Sequence, residues 1–179
     1  ILEHSVKPLV ADFLAERGLT LSEEKTKITH ITDGFDFLGF NVRKFGDTLL
    51  TQPSKDRTKR MLSKVKDEIK RFRGDAQHEL IMRLNPILNG WANYYKHSAA
   101  SNVFRKTDYQ IYKKLWRWAL RRHGNKCKGW IKNRYFHRID GRDWVFAVKR
   151  KNEKHEEYFI PITILFNTKI ERYPQLKCD

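Results

Sequence analysis

At Pro53-Ser54 the apolar residues of this chain stop alternating and begin to recur at every third or fourth position. Strand side chains point to opposite faces in turn, whereas helix side chains return to one face at the longer spacing. A chain that carries both periods in succession is expected to fold as α+β, with a small antiparallel sheet first and a mainly helical bundle after it. Ser54 is a good N-cap, and the spacing extends the helix it starts to about Phe72. Projected at roughly 100° per residue, Met61, Leu62, Val65, Ile69 and Phe72 share one face. Lys55, Lys59, Lys66, Lys70 and Arg73 form a narrow stripe beside it. Unpaired like charges on one face repel each other, so the stripe suits a row of phosphates; a solvated face is the bland alternative.

Ahead of the switch, Val6, Leu9, Val10, Phe13 and Leu14 recur at helical spacing, and Gly18 supplies a stop, which predicts an amphipathic helix over 1–17. TKITHI, then Asp33-Gly34, then FDFLGFNVRKF read as strand, hairpin turn and strand. Phe45-Gly46-Asp47 predicts a second turn into a strand at 48–52. The sheet is therefore expected over 26–52, packed on the first helix. Beyond Gly74-Asp75 a helix resumes near Ala76. Pro86 is costly inside a helix, so a kink or restart is expected, with Asn85 as N-cap. Within LNPILNGWANYYKH, Leu88, Trp91, Ala92 and Tyr95 share a wide face, which reads as core in preference to a base-stacking platform.

A further helix covers roughly 103–122, with Phe104, Ile111, Leu115, Trp118 and Ala119 on its apolar side and Lys106, Lys113, Lys114, Arg117 and Arg121 opposite. Tyr109 and Trp116 stand at the border, suited either to stacking on bases beside Arg or to packing on a neighbour. From Gly124 the chain alternates basic and aromatic residues, and RDWVFAV and EYFIPITILF then look like strands separated by a charged loop. Three segments follow from these shifts: 1–52, 53–123 and 124–179.

Charge narrows the function. The formal net charge is +16, from 37 Lys and Arg against 21 Asp and Glu, and such an excess favours polyanionic partners. Arg105–Lys151 carries a net +13 and Pro53–Arg73 a net +6, leaving the remainder at −3. Cys127 and Cys178 lack metal-ligand or disulfide-scaffold spacing, which makes a reducing cytoplasmic setting the default. No apolar run is long enough for a bilayer span, so no membrane partner is expected. Asp33 with Asp36, and Asp140 with Asp143, are better explained by turns than by acid–base chemistry. The seven His show no metal-ligand spacing, and Cys127 beside His123 is weak evidence for a nucleophile and base. Residue chemistry alone predicts a binding module without catalytic or metal-ligating residues. Because the chain opens on Ile1, it is expected to be a piece of a longer protein.

Three stretches add a specific likeness. LSEEKTKITHITDGFDFLGFNVRK (21–44) resembles the late reverse-transcriptase block of group II intron-encoded proteins, in which a Lys-Thr pair precedes a Phe-Leu-Gly-Phe strand. LNPILNGWANYYKH (84–97) resembles the signature of their maturase-specific region, and LWRWALRRHGNKCKGWIKNRYF followed by WVF resembles the basic extension after it. The likeness runs through essentially the whole chain in the family's order. It implies that 1–52 is the end of a polymerase palm, 53–123 a thumb and maturase-specific domain, and 124–179 a basic extension, with RYPQLKCD at the entrance to a DNA-binding region. The family's metal-binding aspartates would lie upstream of Ile1, so this stretch is expected to be inactive alone and to need no cofactor, while the parent RNA-directed DNA polymerase would use Mg2+. Implied partners are group II intron RNA, an RNA–DNA or RNA template–primer duplex, target DNA, and the upstream fingers–palm portion of the same enzyme. The implied setting is bacterial cytoplasm or an organellar matrix.

Under that resemblance the nucleic-acid contacts are Lys25 and Lys27 of the Lys-Thr block, the stripe at Lys55, Lys59, Lys66, Lys70 and Arg73, then Lys113, Lys114, Arg117, Arg121 and Arg122. Lys126, Lys128, Lys132 and Arg134 extend them, with Trp116, Trp130 and Tyr135 as stacking candidates and Gly39 near the primer terminus. The leading function is binding of intron RNA to assist splicing, together with gripping of template–primer duplex. The rival readings are half of a split active reverse transcriptase with its palm on another chain, and a target-DNA-binding module that uses 123–151.

Overall fold

The computed structural model describes residues 1–171, so the whole of RYPQLKCD (172–179), Cys178 included, lies outside the described residues. A π-helical turn at Leu2–Val6 leads into α1 (Lys7–Ala15), and a three-stranded antiparallel sheet follows in the order β1 (Phe35–Phe37), β2 (Phe40–Phe45), β3 (Thr48–Pro53). The helical bundle comprises α2 (Lys55–Arg71), α3 (Gln77–Tyr95) and α4 (Ser101–Arg122). Helix α5 (Lys128–Tyr135) then runs into a second antiparallel sheet, β4 (Phe136–Ile139), β5 (Arg142–Lys151) and β6 (Glu157–Pro161), and a 3-10 turn at Leu165–Asn167. The α+β expectation holds. Among the described residues no helix is long and apolar enough to cross a membrane.

The first sheet differs from expectation in two ways. TKITHI forms no strand, because the turn after it closes on itself: the Asp33 and Gly34 N–H groups both donate to the His30 carbonyl. The hairpin reversal falls instead inside FDFLGFNVRKF, where Phe37 pairs with Phe40 and the two turn residues, Leu38 and Gly39, both take positive φ (49° and 87°). That two-residue geometry matches the twist of the flanking strands. The Gly46-Asp47 turn behaves as expected, since Phe45 pairs with Thr48. The first helix does not pack on this sheet. Helix α1 ends at Ala15 and buries none of its residues, and Leu9 is 72% exposed.

The sheet is tied instead to the far end of α3. Phe40 stacks at 5.2 Å on Tyr94 and meets Tyr95 edge-on at 4.9 Å. The Tyr94 hydroxyl donates to the Leu38 carbonyl at 2.8 Å, and the Tyr95 hydroxyl to the Gly39 carbonyl at 3.0 Å. Two of the quoted motifs therefore meet: the double Tyr of 84–97 grips the tight turn of the Phe-Leu-Gly-Phe strand.

Helix α3 is continuous through Pro86, against the expected restart. Proline leaves the carbonyl one turn earlier without its helical partner, and that carbonyl belongs to Met82, on an exposed position where water can serve it. Asn85 is no cap. Its Nδ2 donates to the Pro161 carbonyl at 3.0 Å, and its Oδ1 accepts from the Thr163 N–H at 2.8 Å. Asp108 on α4 accepts from the Leu165 and Phe166 N–H groups, both at 2.9 Å. One buried cluster consequently runs from Met61 of α2 to Leu165, taking in Leu80, Leu84, Phe104, Leu115, Trp118, Ile131 and Phe146. EYFIPITILF is a strand only as far as Pro161: Ile162 still donates its N–H to the Phe146 carbonyl of β5, but Thr163 and Leu165 then bond to helices α3 and α4.

Candidate nucleic-acid interface

Helix α2 starts as its sequence demands, with Ser54 Oγ accepting from the Arg57 N–H, and it buries Met61, Val65 and Ile69. Burying that face against both α3 and α4 leaves two flanks of α2 exposed, one beside each neighbour. The flank beside α4 carries the stripe read from the sequence. Lys55, Lys59, Lys66, Lys70 and Arg73 are all exposed. A cleft of about 480 Å³ between the helices is lined by Ile69, Lys70 and Arg73 from one side and Lys114, Trp118, Arg121 and Arg122 from the other. Partial burial, then the positive charges of Lys66 and Arg117, hold the Lys114 ammonium below the usual lysine range. The cationic stripe of α2 and that of α4 thus form one face, and among the described residues none of these lysines or Arg117, Arg121 and Arg73 makes an ion pair.

Arg122 stands apart from that set. Its Nη1 donates to the carbonyls of Arg73 and Asp75 at 2.8 and 2.7 Å, and its guanidinium lies 4.7 Å from the Trp118 ring centre. It locks the end of α4 onto the turn between α2 and α3, with Trp118 Nε1 donating to the Phe72 carbonyl at 3.0 Å beside it. Lys25 and Lys27 are exposed on the irregular segment before β1, which contributes nothing to the cleft lining. Gly39 is half-buried beside Tyr95 and Arg57: a Cβ there would sit 3.0 Å from the Tyr95 hydroxyl and 3.1 Å from Arg57 Cγ.

The stacking candidates separate sharply. Tyr135 is 5% exposed, with its hydroxyl hydrogen-bonded to His123 Nε2 at 2.6 Å and its ring against Trp118 and Phe146. It belongs to the core and offers no face to a base. Trp116 is half-buried in a cluster with Tyr112, Phe136 and Trp144. Trp130 remains open at 38% exposure, with Lys126 Nζ 5.7 Å from its ring centre. Two further open pairs join it, Lys113 at 4.6 Å over Tyr109 and Lys132 at 4.9 Å over Trp144. Trp144 was not among the sequence candidates. Lys128 is exposed at the start of α5, and Arg134 near its end lines a different cleft.

The flank of α2 beside α3 was also missed. Arg57, Arg60 and Lys64, with Met61 below them, face Pro86, Ile87, Gly90, Trp91, Tyr94 and Tyr95 across a groove of about 630 Å³ that Leu38 closes. Lys64, Pro86 and Ile87 carry it on toward Arg71 and Arg83. The signal was present in the spacing, because Arg57, Arg60, Lys64 and Arg71 fall on the second border of the apolar face. Asp56 and Glu68 masked it, and they do pair with this flank: Arg60 meets Asp56 at 2.8 Å and Arg71 meets Glu68 at 3.5 Å. Trp91 and Tyr95 are core as expected, in ring contact at 5.0 Å, and Trp91 Nε1 is buried without a hydrogen-bond partner among the described residues.

Compared with known proteins, residues 58–136 match the family described as "Group II intron, maturase-specific domain". That span opens within α2 and closes at the first residue of β4. No curated protein matches the chain.

Proposed function

We propose, from the premise that residues 58–136 match the group II intron maturase-specific domain, that the α2–α4 face of this chain binds intron RNA and supports the splicing-competent fold of the intron. One observation carries the reading: cations from two adjacent helices converge on a shared cleft with no carboxylate paired to them among the described residues. Such a face is self-repulsive until an anion arrives, and each phosphate it neutralises releases condensed counterions. A-form duplex is recognised chiefly through shape, 2′-hydroxyls and phosphates, since its deep groove admits no side chain. The same contacts suit an RNA–DNA template–primer duplex in a parent polymerase. The open pairs Tyr109–Lys113, Trp130–Lys126 and Trp144–Lys132 fit unpaired bases, because stacking between an aromatic ring and a base is tolerant of sequence.

The test is a salt series with a structured intron RNA. Replacing Lys59, Lys66 and Lys70 together with Ala is expected to weaken binding and to flatten the slope of log K against log salt by about two to three. An unchanged slope would reduce the stripe to a solvated face. Duplex DNA outcompeting the RNA at every salt concentration would replace this reading with target-DNA binding.

A further inference from the structure

Arg122 also lines a second cleft, of about 720 Å³, where three separate elements bring four cations together. Arg122 comes from the end of α4, Arg134 from α5, and Lys149 and Arg150 from β5. His78 and His137 share the lining, which contains no carboxylate among the described residues. The acids that reach these groups do so from outside it: Glu157 pairs with Lys149, and Glu79 lies 3.6 Å from His78. Arg134 and Arg150 are exposed and have no ion-pair partner among the described residues.

The walls are built, not incidental. Gln77 Nε2 donates to the Tyr135 and Ala147 carbonyls at 3.2 and 2.9 Å, which fixes the start of α3 against α5 and β5. Ala76, at the N-cap of α3, supplies no side-chain hydrogen bond to the first turn, so the positive end of a 19-residue helix also faces this region. Burial, followed by the charges of Lys149 and Arg134, disfavours the protonated form of His137, so the field of those cations reaches the cleft wall. Arginines approaching from different directions fit an anion with acceptor oxygens on several sides. A planar carboxylate can be satisfied by a single guanidinium fork.

We propose that this cleft is a phosphate-binding site, distinct from the duplex-binding face, that takes the phosphate of a strand end or of a small phosphorylated compound. The site does not depend on the RNA reading and is tested without RNA. Inorganic phosphate, titrated into the full chain at constant pH and ionic strength against a chloride control, is followed through the histidine ring resonances. Saturable displacement of the His137 and His78 signals is expected, with the other five histidines little changed. Arg134→Gln with Arg150→Gln, both on exposed positions, is expected to weaken that binding at least tenfold, whereas Lys59→Ala, Lys66→Ala and Lys70→Ala together leave it unaltered. Displacement that grows linearly without saturating, that is shared by all the histidines, or that survives the double substitution would overturn the site. Competition by 5′-phosphorylated but not 5′-hydroxyl oligoribonucleotide would assign the phosphate to a strand end. Failure of both to compete with phosphate would assign it to a small compound, the site standing in either case.

Discussion

The two flanks of α2 carry similar numbers of cations and differ in what accompanies them. Beside α4 the lysines and arginines have no ion-pair partner among the described residues, and the cleft between them is lined mainly by charge. Beside α3 two of the arginines are neutralised by acids on their own helix, and the groove has an aromatic and aliphatic floor. An i,i+3 or i,i+4 ion pair on an exposed helix is worth only a few tenths of a kcal/mol, yet it supplies locally the anion that an unpaired stripe still lacks. Charge count alone therefore does not mark a phosphate surface. On the proposed reading, the absence of partners is what marks it. The α3 flank is better placed to hold the bundle to the first sheet, since Arg57 and Tyr95 both press on Gly39.

The largest expected effect follows directly. Lys66→Ala, Lys70→Ala and Arg121→Ala together should cost at least tenfold in RNA affinity at moderate salt, whereas Arg57→Ala, Arg60→Ala and Lys64→Ala should cost severalfold at most, by filter binding or fluorescence anisotropy. Equal losses would mean that RNA wraps α2 on both sides, and the contrast would collapse.

Next in size is an effect on stability. Gly39→Ala places a methyl group against Tyr95 and Arg57 at a φ of 87°, a conformation that L-residues resist. A loss of about 1–3 kcal/mol is expected in urea denaturation, with RNA affinity of the folded protein little changed. Tyr95→Phe removes only the hydrogen bond to the Gly39 carbonyl and should cost about 1 kcal/mol. Burial already raises the Tyr95 pKa above the usual phenol range, so the bond is expected to survive to higher pH than an exposed tyrosine would allow. If Gly39→Ala weakened RNA binding more than it weakened the fold, the α3 flank would belong to the interface after all.

These elements also mark how far the sequence could be read. The Ser54 cap, the Gly46-Asp47 turn, the apolar face of α2 and the stripe beside it are set by residues within a few positions of each other, and all four were legible. Asn85 was misread as a cap because its true partners, Pro161 and Thr163, are distant in sequence. Tyr135 and Arg122 take structural partners for the same reason. An aromatic or cationic residue in a basic stretch is free for a ligand only as far as the fold leaves it so: the Tyr135 hydroxyl is bonded to His123 and its ring is buried, while Arg73 and Asp75 hold one nitrogen of Arg122. Similarly, Asp33-Gly34 has the composition of a hairpin turn, but the chain reverses at Leu38-Gly39, where Tyr94 and Tyr95 hold the backbone from another helix.

The smallest effect tests the charge argument most directly, because it predicts opposite signs for folding and binding. Lys114 is partly buried and faces Lys66 and Arg117, and both conditions disfavour its ammonium form in the folded state. The unfolded chain, with an ordinary lysine pKa near 10.5, binds the proton more tightly. Between the lowered folded value and the ordinary one, unfolding therefore takes up a proton, and this group makes stability rise with pH through that window. Lys114→Met keeps the packing stem and removes the charge, so the fold should gain a few tenths of a kcal/mol at neutral pH and lose that rise with alkali. RNA binding should weaken in the same variant, since a phosphate is what makes the ammonium tolerable there. Denaturation and binding measured on one preparation decide the matter: a variant that gains stability and keeps its RNA affinity would show that the cations at the α2–α4 cleft repel each other without serving a ligand.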